Sequence, residues 1–337
     1  MKVVSYTEHG KASEVLEVYE VDDPCPEEGD VLIKMESSGV NPSDVKARSG
    51  ALWPMTCHRT IPHNDGAGVI VSVSKSVDSS RVGERVWTYN VNRTPNGLGQ
   101  GANGTCCEYV AIKSRFAVPL PASVSFIEGA CLGVPAMTAY VALFSDGPIE
   151  NKSVLVTGGA GSVGMMAIQL AKWAGVKNII ATVSSDLKAK AAKAAGANET
   201  INYKQITSLD LFANSLLDIN DGKPFHRIVD VDFGFHIGMI SKTLCPGGVI
   251  SAYASMSTPR PSFDFYPIMM NGATLRLIEI YAQNPNQFGR ICKGLNAALA
   301  DNVIKPMVNK VYNLQQTVEA HEAVEAGRHI GNIVIKL

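Results

Sequence analysis

Val154 to Gly175 reads VLVTGGAGSVGMMAIQLAKWAG. Val154-Leu155-Val156-Thr157 is a short apolar strand, and beyond it Val163, Met166, Ala167, Leu170 and Ala171 recur at helical spacing. Between strand and helix, Gly159, Ala160, Gly161, Ser162, Val163 and Gly164 spell G-x-G-x-x-G. The first glycine of such a turn permits the tight bend, the second lets a pyrophosphate approach the backbone, and the third lets helix and strand pack closely. The helix N-terminus offers free N–H groups and the positive end of a dipole to the phosphates. With 30 glycines in the chain an isolated triplet is weak evidence. The strand before it, the helix after it and a second strand at Asn178 to Val183 make it a dinucleotide-binding turn.

The end of that second strand selects the dinucleotide. An NAD site places Asp or Glu there, about 20 residues past the glycines, to bind the ribose 2′-hydroxyl. This strand ends Ala181-Thr182-Val183-Ser184-Ser185, without a carboxylate. Ser184 can donate to a 2′-phosphate, and Lys188, one helical turn on, supplies a point charge suited to it. NADP(H) is therefore the expected cofactor. Two alternatives stay open: Ser184 or Ser185 caps a helix from Asp186 to Ala195 while Lys188 is a solvated lysine, or a register two residues away makes Asp186 the ribose ligand.

At 337 residues the chain can form two domains with a large core. Hydrophobic residues make up 46% and charged residues 18%, and the net charge of −1 comes without any run of Lys or Arg. Nucleic acid and anionic membranes are therefore not expected partners. The start, MKVVSYTEHG, lacks an apolar signal region, so a cytoplasmic protein is expected. Gly129 to Ser145 is uncharged but carries Pro135, and reads as a buried helix and not a membrane span. Seven cysteines, an odd number and mostly in apolar surroundings, predict reduced thiols.

Lys2 to Thr7, Leu16 to Val21, Val31 to Ser37, Ala67 to Val73 and Arg85 to Thr88 are β-rich runs between turn residues, which predicts a twisted β domain. From Ser125 the pattern changes. Phe126 to Phe144 is helical, and strands at Val154 to Thr157, Ile179 to Val183, Arg227 to Val231 and Val249 to Tyr253 alternate with helices, the pattern of a doubly wound parallel sheet. Leu275 to Tyr281 reads as one more strand, Asn286 to Ala300 as a helix, and Tyr312 to Leu337 as a strand, helix and strand that could rejoin the β domain.

Further stretches carry a family resemblance over nearly the whole chain. They are Gly39-Val40-Asn41-Pro42-Ser43-Asp44 with Arg48-Ser49-Gly50, Asp65-Gly66-Ala67-Gly68-Val69, Val82-Gly83-Glu84-Arg85-Val86, and Gly104-Thr105 with Glu108-Tyr109-Val110. Gly133-Val134-Pro135 with Thr138-Ala139-Tyr140, the glycine turn, Ile201-Asn202-Tyr203 and Pro246-Gly247-Gly248 complete the set. In this order they resemble the zinc-independent medium-chain dehydrogenase/reductases, specifically the NADPH:quinone oxidoreductase (zeta-crystallin-like) family. The resemblance implies an α/β protein: a GroES-like twisted β domain, residues 1–125 and 267–337, plus a Rossmann doubly wound parallel-sheet domain, residues 126–266.

Alcohol dehydrogenases of the same superfamily hold catalytic zinc with a Cys in the segment matching Gly39 to Asp44 and a His-Glu pair before Gly-x-Gly. Here those places hold Asn41, Asn64 and Asp65, and an amide is a poor substitute for thiolate or imidazole at a tetrahedral zinc site. Asn90 to Gly104, matching the structural zinc lobe, has no cysteine. Cys57, His58 and His63 lack paired metal-ligand spacing, so no metal site is expected. Cys106-Cys107 reads as a strand position facing core and solvent in turn. Asp230 and Asp232 stand at the carboxyl edge of a predicted parallel strand, where ligands bind, or are solvated loop acids. Asp44 and Arg48, four apart, are expected to form an ion pair that scaffolds the loop carrying Asn41.

The resemblance further implies that Asn41, Thr138, Tyr253, Ala254, Ser255 and the Ile278 to Tyr281 segment with Ile280 border the nicotinamide. Gly159 to Gly164 would cradle the pyrophosphate, and Ser184, Lys188 and Tyr203 would hold the 2′-phosphate end. Asn41, Trp53 and Thr138 are the candidate catalytic residues. Family members often carry a tyrosine near Trp53 and a lysine at Asn332, so this pocket would favour flat apolar rings and lack one positive group. Hydride transfer asks the protein mainly for position, dryness and electrostatics. The expected activity is zinc-independent reduction of a quinone by NADPH. Reduction of α,β-unsaturated carbonyls or enoyl thioesters, and non-catalytic NADPH binding, are the alternatives. An exposed edge strand near Leu275 to Tyr281 would pair across a twofold axis and make a homodimer.

Overall fold

The computed structural model describes residues 1–93 and 99–337. Strands β1 (Lys2–Ser5), β2 (Glu17–Glu20), β3 (Asp30–Val40), β4 (Asp65–Val73), β5 (Arg85–Thr88), β6 (Tyr109–Lys113) and β7 (Ala117–Pro119) come first. The strands β8 (Ser153–Val156), β9 (Asn178–Val183), β10 (Glu199–Asn202), β11 (Phe225–Asp230), β12 (Leu244–Ala252) and β13 (Thr274–Leu277) follow, and β14 (Val308–Asn313) and β15 (Asn332–Lys336) end the chain. Two compact units result: Met1–Val134 with Pro306–Leu337, and Pro135–Lys305.

In the first unit β3 is the organising strand. It pairs antiparallel with β4, β6 and β15, and the sheet runs β14-β15-β3-β4-β5-β7. Bulges between Leu32 and Ile33 and between Met35 and Ser37 let its eleven residues bend to serve three partners. β6 and β7 were not evident in the sequence pattern. The terminal strand, helix and strand close this sheet, with β14 parallel to β15.

The second unit is a six-stranded sheet, order β10-β9-β8-β11-β12-β13, parallel at every pairing. Its central strands are covered on both faces, and Leu155, Ile180, Ile228 and Ile250 are fully buried, as the apolar runs require. The strand order reverses between β8 and β11, so the ligand crevice of this topology lies at their carboxyl ends. Residues 267–305, expected with the β domain, pack here instead, because β13 adds a parallel strand beside β12. The predicted helix Phe126 to Phe144 is broken into Phe126–Gly129, a π-type turn Leu132–Ala136 and Met137–Phe144. Pro135 lies within that turn, where its missing N–H interrupts the α-helical ladder. No helix among the described residues is long and apolar enough to cross a membrane.

Candidate functional site

In the second unit the turn between β8 and helix Ser162–Trp173 gives each glycine a measurable reason. The left-handed backbone falls on Gly158, at φ +66°, one residue earlier than the motif suggests. A Cβ on Gly159 would lie 2.6 Å from the Ala181 Cβ, and one on Gly164 only 2.3 Å from the Gly158 carbonyl oxygen. A Cβ on exposed Gly161 would meet nothing closer than 3.4 Å. The fold itself therefore does not demand glycine at 161. Ser162, Val163 and Gly164 follow as the first turn of the helix, whose N–H groups have no intrahelical acceptor. These residues fit a dinucleotide pyrophosphate.

At the next strand end, β9 stops at Val183, and Ser185 caps helix Asp186–Ala195 by accepting the Lys188 N–H at 3.3 Å. The cap is thus Ser185, leaving Ser184 as the strand-end hydroxyl. Asp186 is the first helical residue and does not hold the strand-end register of a ribose ligand. The β9–β10 register aligns Val183 with Asn202, so Tyr203 and Lys204 emerge beside Ser184. Burial, and then the neighbouring Lys204 charge, hold the half-buried Lys188 ammonium below its ordinary range. Lys204, which the sequence reading did not single out, thus brings a second positive charge to bear on Lys188. The half-buried Tyr203 ring meets Phe235 edge-on at 6.4 Å.

Nearer the switch point, buried Asp230 accepts from Thr157 Oγ1 at 2.6 Å and pairs with His236 Nδ1 at 2.6 Å. Its oxygen is committed to tying β8, β11 and helix Phe233–Thr243 together. Asp232 is bound to Ser257. Neither acid reads as catalytic. Tyr253 is half-buried, and desolvation pushes its phenol up. The Ala254 carbonyl accepts the Phe233 N–H at 2.9 Å, and Ser255 Oγ accepts the Gly234 N–H at 2.9 Å, so this segment anchors a helix start. Thr138 is buried in the first turn of Met137–Phe144, and Ile280 is buried in the short 3₁₀ turn Ile280–Ala282.

In the first unit a buried polar network surrounds Asn41. Asn41 Nδ2 donates to Asp65 Oδ2 at 2.8 Å, and the Val134 N–H donates to the same oxygen at 2.8 Å. Asp44 Oδ2 accepts the Asn41 N–H at 2.8 Å, while Asp44 Oδ1 accepts from Asn64 Nδ2 at 3.1 Å. Burial pushes the Asp44 carboxyl up to about 6. Burial and the nearby Asp44 push Asp65 well above the usual carboxylate range. Arg48, expected beside Asp44, pairs with Glu325 instead and donates to the Gly10 carbonyl at 2.5 Å. The reason is local: Asp44 is the third residue of helix Pro42–Arg48 and turns back to cap its start.

His63 and His321, both buried, share a hydrogen bond between their Nε2 atoms at 2.9 Å. His63 Nδ1 lies 2.8 Å from Ser38 Oγ, which lies 2.7 Å from Thr105 Oγ1, and Thr105 donates to the Asp65 carbonyl at 2.7 Å. A carbonyl only accepts, so every step is directed: Ser38 donates to Thr105, His63 Nδ1–H to Ser38, and His321 Nε2–H to His63. Burial holds His63 down at about 3 and His321 well below its ordinary value, so both rings stay neutral. Cys57 bonds to the Arg59 carbonyl and His58 is exposed, so the trio does not converge.

Cys106 and Cys107 are both buried, contrary to the expected alternation of core and solvent, because each faces a different apolar cluster of this unit. All seven thiols are free. The Arg93 guanidinium lies 3.4 Å from the centre of the Trp53 ring. One face of the indole is thus already covered, an arrangement the sequence did not show. Asn332 Nδ2 donates to the Met307 carbonyl at 3.0 Å, a backbone tie in place of the family's lysine. The Asn90 to Gly104 segment falls partly outside the described residues, which omit 94–98.

Zinc does not fit the positions that hold it in alcohol dehydrogenases. Asn41 and Asn64 point their amide N–H groups at Asp65 and Asp44, Asp65 Oδ2 is filled by two donors, and Asp65 Oδ1 is buried between the other segments. Among the described residues no group of three or more His, Cys, Asp or Glu could hold a metal.

Comparison with known proteins agrees with this architecture. The alcohol dehydrogenase GroES-like domain matches residues 27–122, and the zinc-binding dehydrogenase domain matches residues 162–292. A zinc-type alcohol dehydrogenase-like protein of Schizosaccharomyces pombe is 30% identical over 327 residues, covering 92% of this chain and 91% of that one. The quinone oxidoreductase of Rattus norvegicus is 27% identical over 318 residues, 93% of this chain and 91% of its own. The structure of mycobacterial Rv1454c complexed with NADPH superposes with a TM-score of 0.87 at 25% identity, covering 100% of both chains. The chain belongs to the medium-chain dehydrogenase/reductase family of oxidoreductases.

Proposed function

We propose that the protein is an NADPH-dependent quinone reductase that works without zinc. The observation that carries the cofactor choice is the absence of a strand-end carboxylate after β9, with two positive charges near that end, Lys188 on the following helix and Lys204 just past β10. The names of the quinone oxidoreductase relatives support the substrate class. Bound NADPH would supply the hydride. This chain's residues would bind and orient it: Gly159 to Gly164 at the pyrophosphate, Ser184, Lys188, Lys204 and Tyr203 at the 2′-phosphate end, and Asn41, Thr138 and Ile280 at the nicotinamide. Trp53, with Arg93 on one face, would offer its other face to a flat ring.

The exposed apolar residues of helix Phe265–Met270 and of β13, Met270 and Leu277 foremost, support a homodimer formed through that sheet edge. Free thiols support a cytoplasmic setting. The test is steady-state oxidation of NADPH and NADH with a small benzoquinone and with a simple enone, before and after chelator treatment. The expected result is quinone turnover that prefers NADPH and ignores the chelator. Turnover of the enone alone would transfer the activity to unsaturated carbonyls, turnover of neither would leave a binding protein, and chelator sensitivity would restore the metal.

Lys188→Ala and Lys204→Ala are each expected to weaken NADPH roughly tenfold, the size of one charge-assisted hydrogen bond, with NADH unchanged. Isothermal titration with both cofactors checks this. Equal losses for NADPH and NADH would remove the lysines from the 2′-phosphate.

A further inference from the structure

The zinc-ligand position occupied by Asp65 carries more than the absence of a metal. Asp65 is fully buried, and among the described residues the hydrogen bonding of its carboxyl group falls on one oxygen: Oδ2 accepts both Asn41 Nδ2 and the Val134 N–H, each at 2.8 Å. Oδ1 has no hydrogen-bond partner among the described residues. The carboxyl group is gripped from two sides by glycines. A Cβ on Gly133 would lie 2.1 Å from Asp65 Oδ1, and one on Gly39 would lie 3.3 Å from the Asp65 Cβ. It therefore has little room to turn.

This geometry fixes Asn41. An asparagine amide presents a donor at one end and an acceptor at the other, and only its hydrogen bonds decide which end faces which way. With Nδ2 on Asp65, a flip would set Asn41 Oδ1 against the Asp65 oxygen, acceptor against acceptor. Asp44 holds the backbone N–H of the same residue at 2.8 Å. Asn41 is thus clamped at main chain and side chain by two buried acids on different elements.

We propose that Asp65 is the positioning residue for Asn41, locking the end-for-end orientation of its amide and doing by hydrogen bonds what a metal does for ligands in zinc-holding relatives. The inference rests on the reading that Asn41 borders the nicotinamide. Asp65 acts as a double acceptor, and its charge and acidity play no part.

The test uses Asp65→Asn, Asp65→Ala, Asn41→Ala and the double variant Asn41→Ala/Asp65→Ala in the full chain. NADPH affinity, kcat and KM for a benzoquinone, and the deuterium isotope effect with NADPH labelled at the transferred position are measured for each. Asp65→Asn is expected to keep kcat within about threefold, because one amide oxygen can accept both bonds. Asp65→Ala is expected to lower kcat roughly 10- to 100-fold with KM little changed and a larger isotope effect, the signature of a misplaced reacting pair. In the Asn41→Ala background Asp65→Ala should cost nothing further. Full additivity of the two losses, or an Asp65→Asn variant as impaired as Asp65→Ala, would overturn the proposal. Hydrogen exchange of the Asn41 side-chain amide in the unmodified protein, read by NMR, needs neither a folded alanine variant nor turnover. Slow exchange supports the clamp and fast exchange overturns it, so absence of quinone turnover with a protected amide would remove only the functional reading.

Discussion

Gly161→Val is expected to leave the second unit folded and to raise the dissociation constant for NADPH at least about a hundredfold, equivalent to ~2.7 kcal/mol. The position is exposed, its φ is −80°, and a Cβ there would come no closer than 3.4 Å, to the Gly158 carbonyl oxygen. Valine can adopt that backbone, so the folded chain loses little. A bound pyrophosphate, however, needs the space over the helix N-terminus that the side chain would fill. Gly164→Val supplies the contrast. Its Cβ would press to 2.3 Å from the Gly158 carbonyl oxygen and 2.9 Å from the Gly159 Cα, backbone atoms that cannot step aside. That variant should lower the melting temperature as well as abolish binding. Thermal melts and NADPH titration of both variants separate ligand space from packing space. NADPH binding retained by Gly161→Val would mean that the pyrophosphate does not lie there.

Glu325→Ala is expected to destabilise the first unit by about 3 kcal/mol or more, because it strands a buried cation. Arg48 is fully buried, and its neighbours are the Glu325 carboxylate and the Gly10 carbonyl. Glu325 itself is 40% exposed, so the two ends of the pair are not equivalent. Removing the arginine, as in Arg48→Met, leaves an acid that water can reach, and should cost less. The double variant should recover part of the loss, since a buried pair replaced by apolar atoms of similar volume is often tolerated. Chemical denaturation of the three variants measures the asymmetry, and an Arg48→Met loss equal to or greater than that of Glu325→Ala would refute it.

The dinucleotide turn was legible because its requirements are local. Strand, glycines and helix follow one another within twenty-two residues, and each leaves its own pattern. The exception within it is instructive: the left-handed residue is Gly158, which a motif search passes over because the motif begins one residue later. Lys204 was not legible, since only the parallel pairing of β9 with β10 brings the residues after Asn202 beside the end of β9, where the Lys204 charge bears on Lys188 sixteen residues away in sequence. The Asp44–Arg48 spacing misled for a different reason. Four residues along a helix favour an ion pair, but at the third position of a helix the side chain's stronger demand is the free N–H of the cap residue. The Asn41–Asp65–Val134 cluster joins three separated segments, and no periodicity announces it. The boundary at 134 and 305, in place of 125 and 267, came from a strand whose exposed apolar residues suit a sheet edge in either unit.

The directed chain from His321 through His63, Ser38 and Thr105 to the Asp65 carbonyl binds four side chains into one unit of inheritance. Each member has its hydrogen assigned by the next, so a valine at Thr105 deprives Ser38 of its acceptor and leaves the whole series free to reverse. Drift at this place therefore proceeds in blocks: a lineage that loses the threonine keeps a satisfied interior only by exchanging the serine and the histidines with it, and chimaeras that mix the two solutions should fold worse than either parent.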